Sequence, residues 1–165
     1  MQTLKEHFGM LAKYNRVANA RLLDACSGLP LGALEAQSSA PFGSIAGLLD
    51  HLLAADEVWL ARFEGDLGAQ LKKTPRQLLD LAAFRTRREA LDARIEAFAA
   101  SLTDDDLARP MAYRNSSGVA ISGPLALLLA HMFNHQTHHR GQVQLLLRDA
   151  GVMGLVLDLH RLAAL

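Results

Sequence analysis

The chain contains four long stretches in which hydrophobic residues recur at alternating steps of three and four. This spacing is typical of amphipathic α-helices, whose apolar stripes pack against neighbouring helices. We predict helices over residues 3–26 and 44–64, from just after Thr74-Pro75 to residue 102, and over residues 124–149. Because these helices are joined by short or medium connections, the pattern predicts an all-α fold, a four-helix bundle.

Turn-forming and capping residues separate the predicted helices. Ser44 is a suitable N-cap for the second helix, and residues 31–43 before it are predicted to form a loop. Residues 109–123 are rich in turn residues and predict a short hairpin or an extended loop between the third and fourth helices. At 165 residues, the chain is expected to form a single domain over residues 1–165.

Polar residues interrupt the apolar stripes of all four predicted helices. They are Asn15 in the first stripe, His51 in the second, Arg88 in the third, and His135 with His139 in the fourth. The charged residues that flank Arg88, including Asp92, are predicted to form a solvent-exposed face. Asn15 fits two interpretations equally well: a polar group that sets the packing register, or a neighbour of a functional site.

Composition narrows the classes of function. Lys plus Arg equals Asp plus Glu at 17 each, so the chain lacks the basic surplus of a nucleic-acid-binding protein. The one cysteine, Cys26, excludes an intrachain disulfide framework, which suits a cytoplasmic protein. The chain start lacks the pattern of a signal peptide, and no apolar run approaches the ~20 residues that cross a bilayer. We therefore expect neither nucleic acid nor a membrane as a partner.

Histidines are concentrated in the last predicted helix. His135 and His139 are four residues apart, so their rings lie on one face, separated by about 6 Å of rise. Two imidazoles so placed can bind one metal ion. His131 lies about 12 Å of rise from His139, too far to join both when metal–nitrogen bonds are about 2.0–2.1 Å. The third ligand should therefore come from another helix, and His51 is the histidine in the second helix's stripe.

Two alternatives to this ligand set stay open. A pairing of His131 with His135 is allowed by helix geometry, although His131 lies beside the stripe. Hydrogen bonds to Asn15 or to the backbone could also satisfy the histidines without a metal. Three neutral histidines would leave an open coordination position, as in catalytic sites, and are compatible with zinc, nickel, iron(II) or manganese(II).

One block of the last helix resembles a known family. The block is Asn134-His135-Gln136-Thr137-His138-His139-Arg140-Gly141-Gln142, and it accompanies His51 with Trp59 eight residues later. Together with Leu11–Asn19, in which Val17 replaces a common aromatic residue, these residues resemble the DinB-like (DinB/YfiT-like) superfamily of putative metalloenzymes. The resemblance implies a four-helix bundle of unusual connectivity, often a homodimer, which holds one divalent metal through His51, His135 and His139.

The last residues of the block, from Arg140 to Gln142, follow the candidate ligand His139. Arg140 fits two interpretations equally well: a surface or dimer-interface residue, or a residue that packs within the bundle. Gly141 costs about 1 kcal/mol relative to alanine within a helix, which indicates a close neighbour or a local bend. Gln142 is a candidate partner for His139.

Three functions are compatible with these observations. The first is a metal-dependent transferase or hydrolase acting on a small molecule; some members of the family use low-molecular-weight thiols. Against it, no general base is evident, because Asp50 and Glu57 point away from the stripe and Asp56 lies at its margin. The second is a metal-binding stress-response protein without catalysis, and the third is a metal-free structural dimer.

Overall fold

A computed structural model describes residues 2–71 and 80–162. Its elements in chain order are α1 (Leu4–Ser27), α2 (Leu31–Glu35), α3 (Ile45–Phe63), α4 (Leu81–Ser101), α5 (Asp104–Ala108), β1 (Pro110–Arg114), β2 (Ala120–Pro124), α6 (Leu125–Asp149) and α7 (Leu159–Leu162). The long helices α1, α3, α4 and α6 form a four-helix bundle, which confirms the predicted fold class. None of the described helices combines the length and apolar character needed to cross a membrane.

The long helices pack in an order that differs from their order along the chain. Helix α1 contacts α4 and α6, and α3 contacts the same two helices. The order around the bundle is therefore α1–α4–α3–α6, with α1 and α3 diagonally opposite. Leucines from three of the helices (Leu22, Leu53 and Leu129) are fully buried in the core, together with Ile95 of α4. This order places α3 directly beside α6, which carries the clustered histidines.

Local hydrogen bonds account for the helix boundaries. Ser44 Oγ accepts from the backbone N–H of Gly47 at 3.0 Å, which confirms the predicted N-cap of α3. Helix α4 begins later than predicted, because Asp80 is extended and its carboxylate accepts from the backbone N–H groups of Ala82 and Ala83. The predicted start at Thr74-Pro75 lies outside the described residues, but a helix continuous through Asp80 is wrong.

The connections between the long helices contain regular elements. The predicted loop over residues 31–43 is wrong in its first part, because α2 forms there and buries Leu34 beside α3. A single buried leucine gives no periodic signal, so this short helix is hard to predict. Between α5 and α6, β1 and β2 pair antiparallel with Tyr113 opposite Ile121, so the predicted hairpin is correct.

Charged and amide side chains from all four long helices meet in the interior. We call them the charge cluster: Asn15, Asn19, Asp56, Arg88, Asp92 and Arg140, each at most 4 % exposed. Arg88 Nη2 donates to Asp92 Oδ1 at 2.9 Å, and Arg88 Nη1 lies 2.9 Å from Asp56 Oδ2. Arg140 Nη1 donates to the side-chain oxygens of Asn15 and Asn19. Both asparagines donate to Asp92 Oδ1, so two cations and two carboxylates share one network.

The prediction of an exposed Asp92 is therefore wrong, because the residue is buried. Arg140 is buried too, which excludes the surface position and agrees with the alternative of packing within the bundle. Each lies one position after the stripe assigned from the sequence. Because α4 and α6 each pack against two helices, a second row of side chains is buried beside that stripe. The predicted close neighbour of Gly141 is also absent from the described part of the chain, since a Cβ built there meets nothing within 4 Å.

Candidate metal centre

Three histidines meet where α3 packs against α6. His51 comes from α3, and His135 and His139 come from consecutive turns of α6. One ring nitrogen from each lies within 4.8 Å of the others, and His51 Nε2 is 3.0 Å from His135 Nε2. Two nitrogens bound to one tetrahedral ion at about 2.0–2.1 Å would be about 3.3 Å apart. The structure thus brings the predicted side chains together, at a spacing near that of a shared ion. We call them the histidine triad.

His131 lies outside this triad, as the helix rise predicts. Its ring centroid is 6.3 Å from that of His135 and 5.2 Å from that of Trp59. The centroids of His135 and His139 are only 4.4 Å apart, and His51 lies 4.6 Å from His139. The alternative pairing of His131 with His135 is thus less favourable than the triad.

The triad is arranged to be neutral at physiological pH. Burial, followed by repulsion from a protonated His139, lowers the pKa of His51 to about 4. Burial, followed by repulsion from the neighbouring histidines, lowers the pKa of His135 to about 3, and burial also lowers the pKa of His139. A neutral imidazole keeps the lone pair that a metal requires. The donor set therefore fits a divalent transition metal.

Gln142 fixes the orientation of His139. Its Oε1 lies 2.7 Å from His139 Nδ1, and its Nε2 lies 3.2 Å from His138 Nε2. Because a carbonyl oxygen only accepts, Nδ1 of His139 carries the proton and Nε2 keeps a free lone pair. Metal-binding histidines typically have such a partner on the other ring nitrogen. Nδ1 of His135, by contrast, is buried without a partner among residues 2–71 and 80–162.

Phe42 covers the triad from the loop before α3, a contact that sequence reasoning missed. Its ring stacks on His51 with 3.9 Å between centroids, and it lies edge-on to His139 at 5.6 Å. Its φ of 63° is unusual for a bulky residue. Gly47 allows this backbone path, because a Cβ at that position would lie 2.1 Å from the carbonyl oxygen of Phe42. A glycine in the first turn of a helix is the only signal of it in the sequence.

A cavity of about 190 Å³ opens beside the triad. His51 and His135 line one end of it, Trp59 lines its wall, and Tyr113 and Asn115 reach it from the hairpin. His51 and His135 are therefore accessible to a small molecule from this side, while Phe42 stacks on another part of the His51 ring.

Carboxylates are directed away from the triad. Asp56, predicted at the margin of the stripe, is fully buried in the charge cluster, and burial raises its pKa to about 6. Glu57 pairs with Arg87 at 2.7 Å, as expected for a residue facing away. Among the described residues, the group that could hold a metal consists of the three histidines. The donor set of the candidate centre, as far as the described residues show it, thus consists of nitrogen atoms without a carboxylate.

Comparisons with known proteins agree with this fold. The chain is 27 % identical over 145 residues to Protein DinB of Bacillus subtilis (strain 168), covering 86 % of this chain and 84 % of that protein. A DinB-like protein from Bacillus cereus ATCC 10987 superimposes with a TM-score of 0.65 at 24 % identity, over 87 % of this chain and 91 % of that one.

A second solved structure is more distant in sequence. YfiT from Bacillus subtilis, described as a probable metal-dependent hydrolase with an unusual four-helix bundle topology, gives a TM-score of 0.65 at 16 % identity, over 86 % of each chain. At such identities these likenesses show the fold alone. The profile of the DinB family, however, matches residues 1–164, and this chain therefore belongs to the DinB family.

Proposed function

We propose that His51, His135 and His139 bind one divalent transition metal and that the protein is a metal-dependent transferase or hydrolase of a small molecule. The observation that carries the proposal is the convergence of three neutral imidazoles, with two ring nitrogens facing each other at 3.0 Å. Two facing nitrogens at that distance require either a hydrogen bond, in which one ring donates its N–H to the other, or an ion between them. Zinc, nickel, iron(II) and manganese(II) all suit three nitrogen ligands.

A bound divalent ion would act as a Lewis acid on a thiol, a water or a substrate oxygen at its open position. The protein's own residues would prepare that position. Gln142 holds the Nδ1 proton of His139, and Phe42 shields His51 from solvent. The cavity lined by Trp59 would admit the substrate.

Transfer involving a low-molecular-weight thiol is favoured over hydrolysis by one feature of the site. In the described part of the chain no acidic side chain joins the three histidines in the candidate metal-binding group, and Asp56 and Glu57 are paired with Arg88 and Arg87. A thiol loses its proton far more readily than water, with a pKa of about 8.5 against about 15.7, so it needs less help from a base. The relative described as a probable metal-dependent hydrolase supports the other reaction class.

Metal analysis of untagged protein tests the proposal. We expect close to one equivalent of a transition metal in the unmodified protein and in His131→Ala, and only traces in His135→Ala. Trace metal in all three proteins, unchanged after incubation with zinc or nickel, would support the metal-free structural bundle instead. Stoichiometric metal without metal-dependent turnover of a panel of thiols and electrophiles would favour the non-catalytic metal-binding protein.

A further inference from the structure

Arg62 lies at the part of the cavity that is remote from the histidine triad. It is eleven residues after His51 on α3, which corresponds to about 16.5 Å of rise and about 20° of rotation. The two side chains therefore lie on one face of the helix, three turns apart. Both line the same cavity, so a single elongated molecule can contact both.

The guanidinium of Arg62 is held in place by rings and by one backbone contact. Its Cζ lies 4.3 Å from the ring centre of Tyr113 and 5.1 Å from that of Trp59. Its Nε donates to the carbonyl oxygen of Ala69 at 3.0 Å. Arg62 is only 6 % exposed as a whole residue, so most of its side chain is removed from solvent.

No carboxylate neutralises Arg62 in the described residues, although every Asp and Glu of the chain lies within them. Its terminal nitrogens make no hydrogen bond to a protein group in that part of the chain. The other deeply buried arginines, Arg88 and Arg140, share Asp56 and Asp92. A buried cation without an anion is costly, and burial accordingly lowers the pKa of Arg62. An anion from outside the chain would remove that cost.

Gln70 supplies a second unpaired polar group in the same cavity. Its Nε2 donates to the carbonyl oxygen of Arg114 at 2.7 Å, which fixes the orientation of the amide. Its Oε1 is then buried, with no partner in the described chain. The donors of Arg62 can bind an anionic group of a ligand, whereas Gln70 Oε1 can only accept and would need a separate N–H or O–H donor on the same molecule.

We propose that Arg62 binds the carboxylate of an elongated small molecule whose reacting end lies at the histidine triad. A single guanidinium matches a singly charged carboxylate in both geometry and charge, whereas a phosphate dianion would keep one negative charge uncompensated beside it. The rings of Trp59 and Tyr113 would contact the apolar middle of the molecule. This assignment of a substrate class rests on the proposed metal-dependent function, but binding at Arg62 itself needs no metal.

Trp59 provides the measurement, because it is the one tryptophan of the chain and lies beside Arg62. Hexanoate and its uncharged isostere hexanamide are titrated into metal-free and zinc-loaded protein, with affinity read from Trp59 fluorescence. We expect hexanoate to bind about tenfold or more tightly than hexanamide, since hydrogen bonds to charged groups are the stronger ones. Arg62→Gln should remove this preference, and Arg62→Lys should keep part of it.

Arg16→Gln is the matched control, because it removes one charge at an exposed pair with Glu96 and should keep the full preference. The comparison of the two ligands on unmodified protein decides the matter even if Arg62→Gln folds poorly. Equal affinities, no saturable binding of either ligand, or a preference that survives in folded Arg62→Gln would overturn the proposal. If the protein does not bind zinc but still prefers hexanoate to hexanamide, the proposed metal-dependent function is contradicted and carboxylate binding at Arg62 is supported.

Discussion

The charge cluster and the histidine triad lie on neighbouring faces of α6, yet their polar groups are satisfied in different ways. In the charge cluster, arginines, aspartates and asparagines from four helices bind one another. In the triad, two ring nitrogens face each other at 3.0 Å, so either the N–H of one imidazole or a bound ion lies between them. Arg140 and His139 are adjacent in sequence but belong to different clusters.

This difference separates groups that hold the fold from groups available to a ligand. A network that closes on itself contributes to folding, and breaking it leaves a buried charge without a partner. Removing a neutral histidine should change the free energy of unfolding little. The histidines keep lone pairs that can bind an ion. Substitutions in the two clusters should therefore affect different measurements.

The largest effect is expected from Asp92→Asn. This change removes one of two carboxylates that serve two buried arginines, so the free energy of unfolding should fall by about 3–5 kcal/mol. Glu96→Gln, at an exposed pair with Arg16, should change it by only about 0–1 kcal/mol. Urea unfolding of metal-free protein measures both. A loss for Asp92→Asn no larger than that for Glu96→Gln would show that the charge cluster does not support the fold.

His135→Ala should weaken metal binding strongly and change the free energy of unfolding little. We expect metal affinity to fall at least about 100-fold, because loss of a ligand should exceed the 10–100-fold cost of losing a hydrogen-bonded partner of a ligand. The free energy of unfolding of the metal-free protein should change less than in Asp92→Asn. Competition with a chromophoric chelator gives the affinity, with His131→Ala as the control. Equal losses of affinity in the two variants would place the ion elsewhere.

Gln142→Leu tests whether Gln142 orients His139 for metal binding. Without the acceptor for Nδ1, His139 can rotate or change tautomer, so metal affinity should fall about 10–100-fold. His138→Ala removes only the outer contact to Gln142 and should cost less. If both variants bind the metal as the unmodified protein does, Gln142 does not position His139.

The two clusters should also respond to pH in opposite directions. His51 and His135 have lowered pKa values of about 4 and 3, so the unfolded chain binds more protons below pH ~6.5, and these groups destabilise metal-free protein as pH falls. Burial raises the pKa of Asp56 to about 6, so at this position the folded protein binds a proton more readily than the unfolded chain. Asp56 therefore stabilises the folded protein as the pH falls through about 6.

The double variant His51→Ala/His135→Ala measures the contribution of these two histidines to the pH dependence of the free energy of unfolding. Its free energy of unfolding should decline less between pH 6.5 and 4 than that of the unmodified protein. The histidines are partly exposed, so this is the smallest effect predicted. Parallel pH profiles would mean that the histidines titrate normally in the folded protein.

Periodicity predicted the long helices apart from the start of α4. Helix rise and stripe positions together favoured the meeting of His51, His135 and His139, although a pairing of His131 with His135 stayed open. These features depend on spacings within one helix and on the packing of two stripes. The burial of Asp92 and Arg140 depends instead on how far the buried face extends around each helix, which is set by two neighbours rather than one. A shift of one residue in the assumed stripe, about 100° of rotation, placed Asp92 on the wrong side and left the position of Arg140 undecided.

Other parts of the site depend on backbone geometry that no spacing encodes. Phe42 reaches the triad through a left-handed backbone conformation, beside a glycine that permits the approach. Arg62 enters the cavity because α3 packs near the hairpin that carries Tyr113. Both contacts join segments distant in sequence, so they emerge only from the folded chain.

The most direct test of the central claim is a crystal structure of zinc-soaked protein with anomalous diffraction recorded on both sides of the zinc absorption edge. The account predicts one strong anomalous peak between the imidazoles of His51, His135 and His139, within about 2.0–2.1 Å of one nitrogen of each. It also predicts that the peak is lost in His135→Ala crystals soaked in the same way. A triad without anomalous density, or a peak bound to His131 in place of His51, would contradict it.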